Sequence, residues 1–72
     1  MEKFRQRLKE LREAEGLTHK EFAKRVYLSE YSIYNYESGT TIPRADIIVI
    51  IADCFNVSAD YLLGISDRKE RL

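Results

Sequence analysis

Side chains that can recognise bases are concentrated between residues 30 and 35 of the 72-residue chain. The amide of Asn35 can bond adenine N6 and N7 as a bidentate pair, and the carboxylate of Glu30 can accept a hydrogen bond from cytosine N4. The rings of Tyr31 and Tyr34 can pack on a thymine methyl group, and their hydroxyls can bond a phosphate. These residue types therefore suit contact with the edges of base pairs.

Two other interpretations of the same residues remain open. Glu30 equally suits compensation of the positive end of a helix dipole. Aromatic side chains are enriched in protein–protein interfaces, so Tyr31 and Tyr34 also favour a protein partner. The pattern alone indicates a binding surface and leaves the ligand open.

Catalysis and cofactor binding have little support in the composition. His19 is the single histidine and Cys54 the single cysteine, so the chain offers neither a metal-ligand cluster nor a paired nucleophile and base. It has no glycine-rich phosphate loop, and no small-molecule effector site is evident. We therefore expect a protein that is not an enzyme and that uses no cofactor or metal.

The overall charge supplies no general attraction for nucleic acid. Twelve basic and twelve acidic side chains cancel, so any attraction for phosphate has to come from local arrangement. A single cysteine excludes an internal disulfide framework and fits a reducing compartment. The N-terminus is too charged for a secretory signal, and the longest apolar run, 47–52, is too short to cross a bilayer. We therefore expect a cytoplasmic protein.

The candidate binding residues lie on the second of two short predicted helices. The first covers about residues 19–26, and Thr18 with Glu21 fits a capping box at its start. The second covers about residues 30–37, with Ser29 as its N-cap. Two short helices joined by a tight corner are the layout of a helix-turn-helix.

Three further helices complete a predicted all-α domain. Apolar spacing and flanking signals predict them over about residues 2–14, 44–55 and 59–63. We expect Leu63 to help close the core and Tyr61 to be partly exposed. The chain is therefore predicted to fold as one small helical domain.

Many spaced residues match one known pattern. They are Arg7, Leu8, Leu11, Arg12, Gly16, Leu17, Thr18, Glu21, Phe22, Ala23, Ser29, Ile33, Tyr36, Glu37, Ser38, Gly39, Pro43, Ile51, Ala52, Asp53, Phe55, Asn56, Val57, Ser58, Asp60, Tyr61, Leu62, Leu63 and Gly64. Through these residues, and over roughly residues 4 to 65, the chain resembles the lambda-repressor-like (Xre-type) family of helix-turn-helix DNA-binding regulators.

The resemblance implies a compact five-helix domain over residues 1–65, followed by a polar tail over residues 66–72 that we expect to be frayed. It also implies a transcriptional regulator, in particular a repressor, that binds double-stranded DNA as a homodimer with the helix near 30–37 in the major groove. The base-reading candidates are Glu30, Tyr31, Tyr34 and Asn35. The phosphate-binding candidates are His19, Lys20, Ser32, Ser38, Thr40, Thr41 and Arg44.

The resemblance implies a structural role for Arg12 and an anomaly at Tyr27. In the family, Arg12 would pair with Glu37; the alternative is an exposed arginine that contacts a carboxylate on its own helix. Tyr27 stands where the family favours glycine, because that corner tends to need a positive φ. We expect either a slightly different turn or a tyrosine ring that packs on the protein and offsets the strain.

Two features leave an alternative function open. Ile47, Ile50 and Cys54 extend the apolar stripe of the fourth helix past the edge of the core, either as additional core or as a homodimer surface. The loop after the second short helix has a single basic residue, Arg44, where the family often has more. The alternative is a protein-interaction module with the same fold, antitoxin-like or partner-binding, that has little affinity for DNA.

Overall fold

The computed structural model describes residues 1–71, which form five α-helices and no β-strand and so confirm the all-α prediction. No helix in this range is both long and apolar enough to cross a membrane. The predicted helix limits agree with the observed ones to within one residue. The helices are α1 (Glu2–Ala14), α2 (His19–Arg25), α3 (Glu30–Ser38), α4 (Ala45–Phe55) and α5 (Ala59–Leu63).

The hydrophobic core lies where the five helices meet, and each helix contributes at least one buried apolar side chain. Phe22 of α2 stacks on Phe55 of α4, with ring centroids 4.5 Å apart and planes inclined by 8°. This contact attaches the α2–α3 pair to α4. The side chains that are almost wholly buried are Phe4, Leu8, Phe22, Val26, Ile33, Ile51 and Leu62.

Side-chain caps fix the starts of α2 and α3. Thr18 Oγ1 accepts a hydrogen bond from the Glu21 backbone N–H at 3.1 Å, and Glu21 Oε1 accepts one from the Thr18 backbone N–H at 2.9 Å. These two bonds form the predicted capping box, and the backbone hydrogen bond from Thr18 lowers the pKa of Glu21. At the start of α3, Ser29 Oγ accepts from the Ser32 backbone N–H at 3.1 Å. Both helices of the pair therefore begin at defined residues.

The corner between α2 and α3 is strained at Tyr27. Its φ is 59°, in the left-handed region, so the turn has the positive φ that usually calls for glycine. The residue is 89% exposed, so the ring does not pack on the protein. Both sequence-based expectations for Tyr27 were therefore wrong: the turn is not built differently, and the strain is not offset by burial.

We expect Tyr27→Gly to stabilise the domain. Relief of left-handed strain is worth about 1–2 kcal/mol, and the added backbone entropy of glycine in the unfolded chain subtracts about 0.5–1 kcal/mol, so the net gain lies between about 0 and 1.5 kcal/mol. Urea unfolding measures the change. Tyr27→Ala is the matched control, because it removes the same ring and retains the strain. Equal stability of the glycine and alanine variants would contradict this account.

The segment after α5 is attached to the domain, and the expectation of a frayed tail was wrong for the residues described. The Ser58 backbone N–H donates to the Lys69 carbonyl at 2.8 Å, and Arg7 Nη1 donates to the Ser66 carbonyl at 2.8 Å. Leu72, the last residue of that predicted tail, lies outside the described residues. Helix α1 therefore contacts the chain beyond α5.

Arg7 also covers one side chain of α5. Its guanidinium lies 4.1 Å from the centroid of the Tyr61 ring and donates to the Tyr61 carbonyl. Tyr61 is buried beneath it, whereas Leu63 is exposed. The expectations for these two α5 residues were therefore reversed, because an arginine from a distant helix covers the tyrosine.

Candidate nucleic-acid interface

Three of the base-reading candidates form one exposed face of α3. Glu30 and Tyr34 are four residues apart and Tyr31 and Tyr34 three apart, so all three lie on neighbouring positions of the helix surface. Tyr31 is 75% exposed and Tyr34 58% exposed. Together with His19 of α2 they line an open cleft of about 310 Å³. The cleft combines aromatic walls with a carboxylate.

The fourth candidate, Asn35, lies elsewhere. It is 8% exposed, and its backbone carbonyl accepts hydrogen bonds from the backbone N–H groups of Thr40 at 3.0 Å and Thr41 at 3.4 Å. The chain after Gly39, which has a φ of 81°, thus turns back over the last turn of α3. The residue therefore offers little surface to a base edge, which is evidence against its place on the base-reading face.

His19 connects the cleft to the interior. Its Nε2 lies 3.3 Å from Glu37 Oε1, and its ring meets Tyr34 edge to face at a centroid distance of 6.1 Å. The contact with Glu37 occupies Nε2, which leaves Nδ1 as the ring nitrogen for a phosphate. His19 therefore both positions Tyr34 and stays half exposed at the edge of the face.

Arg12 and Glu37 form an ion pair that joins α1 to α3. Arg12 Nε lies 2.7 Å from Glu37 Oε2, and Arg12 Nη2 lies 3.1 Å from Glu37 Oε1. Arg12 Nη1 also donates to the Leu17 carbonyl at 3.0 Å. The two side chains are only 13% and 7% exposed, and the hydrogen bonds to Glu37 raise the pKa of Arg12. The pair therefore fixes α3 against α1, and through Glu37 it also contacts His19 at the edge of the cleft.

Several of the phosphate-binding candidates already have partners within the protein. Ser32 Oγ lies 2.9 Å from Ser29 Oγ, and Ser38 Oγ lies 2.8 Å from Thr40 Oγ1. The Arg44 guanidinium is exposed and donates to Asp46 Oδ2 at 3.0 Å. Lys20 and Thr41 are exposed. Among these exposed candidates, positive charge therefore comes from Lys20 and from Arg44, which is already paired with Asp46.

The exposed side of α4 forms a second surface, separate from the cleft. Ile50 and Cys54 are exposed, whereas Ile47 is half-buried against the core. The Cys54 thiol donates to the Arg25 carbonyl at 3.3 Å, which ties it to the end of α2. Val49 is also exposed, although its position inside the apolar run 47–52 gave no sign of this. The apolar patch on α4 is defined by Ile50 and Cys54, which are one helical turn apart, with the half-buried Ile47 beside them.

Comparison with known proteins finds a helix-turn-helix family and relatives named as helix-turn-helix regulators. A family model described as helix-turn-helix matches residues 8–62. The chain is 39% identical over 62 residues to "Uncharacterized HTH-type transcriptional regulator YobD" of Bacillus subtilis, covering 86% of this chain and 55% of that protein. It is 40% identical over 58 residues to "HTH-type transcriptional regulator ImmR" of the same organism, covering 81% and 46%.

A protein with a different role is similar to a comparable degree. "Antitoxin PezA" of Streptococcus pneumoniae is 40% identical over 57 residues, which are 79% of this chain and 36% of that protein. The chain spans about half the length of the two regulators and about a third of the antitoxin. The matched region includes all of α2 and α3, and the chain therefore belongs to the lambda-repressor-like (Xre-type) helix-turn-helix family.

Proposed function

We propose that this chain is a sequence-specific double-stranded DNA-binding transcriptional regulator that inserts α3 into the major groove. The observation that carries the proposal is the exposed face formed by Glu30, Tyr31 and Tyr34. The Arg12–Glu37 ion pair fixes the helix that bears this face to α1. A major groove admits an α-helix, and these side chains offer a hydrogen-bond acceptor and two aromatic rings to base edges. The similarity to named transcriptional regulators supports the same function.

We propose further that the regulator acts as a symmetric homodimer and represses transcription. The exposed apolar patch of Ile50 and Cys54, with Ile47 at its edge, suits burial against a second copy. A dimer would read two half-sites about one helical turn apart. Repression is the simpler outcome, since occupying a promoter requires no additional contact with the polymerase.

Selection of bound duplexes from a random DNA library, at low and near-physiological salt, tests the proposal. We expect one inverted-repeat motif to be enriched at both salt concentrations. A reporter placed behind that motif should lose expression when the chain is produced. Binding that enriches no motif and disappears with added salt would reflect nonspecific charge alone, and it would overturn the assignment.

A substitution at Arg44 tests whether the domain contacts the DNA phosphate backbone through this residue. Arg44→Ala is expected to weaken binding to all sequences and to reduce the slope of log K against log salt by about one. Arg68→Ala is the matched control, because Arg68 is also an exposed arginine paired with a nearby carboxylate, Glu70 at 3.6 Å, but lies beyond α5. Equal slopes for both variants would exclude Arg44 from the DNA contact.

The dimer is tested by Ile50→Asp. We expect a wild-type mass near twice 8.5 kDa and a variant mass near 8.5 kDa, because the interface would bury an unpaired carboxylate. Light scattering measures the mass, and circular dichroism checks folding. Leu63→Asp is the matched control, since Leu63 and Ile50 are both 37% exposed but only Ile50 lies on the α4 patch. A monomeric wild type would contradict the dimer.

The second candidate function is a protein-interaction module of the same fold. Two observations favour it: Glu30 places negative charge on the proposed DNA-binding face, and Asp46 pairs with Arg44. The similarity to an antitoxin adds support. Under this alternative, no DNA motif is enriched in the library selection, and Arg44→Ala leaves partner binding unchanged.

A further inference from the structure

The cleft on α3 has two chemically different parts side by side. Glu30 provides an acceptor at one edge, and Tyr31 and Tyr34 provide the aromatic walls beside it. Among residues 1–71, no cation forms a salt bridge with Glu30, so its carboxylate is available to a ligand. The edge-to-face contact with His19 holds the ring of Tyr34. The cleft therefore favours a ligand that has a hydrogen-bond donor next to a small apolar group.

Base edges in the major groove differ in how well they meet this requirement. Cytosine presents its N4 amino group as a donor, whereas thymine presents an O4 acceptor beside its C5 methyl group. A carboxylate at Glu30 bonds the first and repels the second. Unmodified cytosine lacks an apolar group at C5, so it fills only the polar part of the cleft. A cytosine with a methyl group on C5 places donor and methyl side by side.

We infer that the α3 cleft recognises 5-methylcytosine, with Glu30 accepting from N4 and the tyrosine rings, chiefly Tyr34, enclosing the C5 methyl group. This inference rests on the proposed DNA-binding function and specifies one base of its target. The cleft volume of about 310 Å³ admits the edge of a pyrimidine. Tyr34 lies one helical turn after Glu30, so the ring and the carboxylate are neighbours on the helix surface. The C5 methyl group and the N4 amino group that they would contact are likewise neighbours on the base.

Two random duplex libraries test the inference, one with ordinary cytosine and one with 5-methylcytosine at every cytosine position. The enriched sequence is then synthesised with cytosine, 5-methylcytosine, thymine or uracil at the contacted position, and each dissociation constant is measured by fluorescence anisotropy. We expect 5-methylcytosine to bind about fourfold tighter than cytosine, the ratio given by burying one methyl group. Uracil should bind about tenfold weaker than cytosine, and thymine about tenfold weaker than 5-methylcytosine, because each replaces the N4 donor by an acceptor.

Substitutions at Tyr34 and Glu30 test separately whether the aromatic part of the cleft recognises the methyl group and whether the carboxylate recognises N4. Tyr34→Ala should reduce the ratio of 5-methylcytosine to cytosine binding to about one, and Tyr34→Phe should keep it because the ring remains. Glu30→Gln should lose the discrimination between cytosine and thymine and keep the methyl effect. A wild type that binds cytosine and 5-methylcytosine equally, or a Tyr34→Ala variant that keeps the ratio, would overturn the inference.

The outcomes separate this inference from the proposed function. Enrichment of a motif with no methyl preference supports DNA binding and refutes recognition of 5-methylcytosine. Failure of both libraries to enrich any motif refutes both. In that case, titration with tetramethylammonium followed by NMR shifts of the Tyr31 and Tyr34 rings would assign the cleft to a cationic group of a protein partner.

Discussion

Glu37→Ala should lower the free energy of unfolding by about 3 kcal/mol, because it leaves the guanidinium of Arg12 buried without its carboxylate partner. The Arg12–Glu37 pair is bidentate, and its side chains are 13% and 7% exposed. A single core in a chain of this size rarely supplies more than about 3–5 kcal/mol. The variant should therefore be partly unfolded near room temperature, and urea unfolding with linear extrapolation measures the loss.

The control for this prediction is an ion pair on the surface. Glu70→Ala breaks the exposed contact with Arg68 and should change stability by less than about 1 kcal/mol. The double variant Arg12→Met with Glu37→Leu should recover much of the loss, since apolar residues can replace a buried pair. A loss below about 1 kcal/mol in Glu37→Ala would mean that the pair is not important for stability.

Phe22→Ala should be as damaging, with a loss of about 3–5 kcal/mol. Phe22 has no exposed surface, and its ring stacks on Phe55 at 4.5 Å, so truncation leaves a cavity between α2 and α4 and removes an aromatic contact. Differential scanning calorimetry measures the change as a fall in Tm. Because this contact helps to attach α2 and α3 to α4, the proposed DNA-binding face on α3 should also lose its position.

Phe22→Leu serves as the control, because leucine retains most of the buried apolar volume. It should cost clearly less than Phe22→Ala. A similar loss in both variants would assign the effect to the aromatic stacking on Phe55 instead of to the cavity. A loss below about 1 kcal/mol for Phe22→Ala would contradict the assignment of Phe22 to the core.

Helix positions were predictable from the sequence because their signals are local. The capping box at Thr18 and Glu21, the N-cap at Ser29 and the apolar spacing of α1 each depend on residues a few positions apart. Such signals define where a helix begins and which face is apolar, whatever the remainder of the chain does. The five helices and their limits accordingly agree with prediction.

The errors arise where distant residues determine burial. Asn35 was placed on the base-reading face from its residue type and the family resemblance, but it is only 8% exposed, where the chain after Gly39 bonds its backbone carbonyl. The ring of Tyr61 is buried under Arg7, which is 54 residues away. Neither contact leaves a periodic pattern in the sequence, since each depends on how helices and loops pack in three dimensions.

The sequence by itself determined the helical architecture and the family, because these follow from local spacing and residue type. The tertiary structure decided that Glu30, Tyr31 and Tyr34 share a cleft with His19, that Asn35 is buried, and that Tyr27 is strained and exposed. The physical reason is that burial and backbone strain depend on packing between elements, which local sequence signals do not encode.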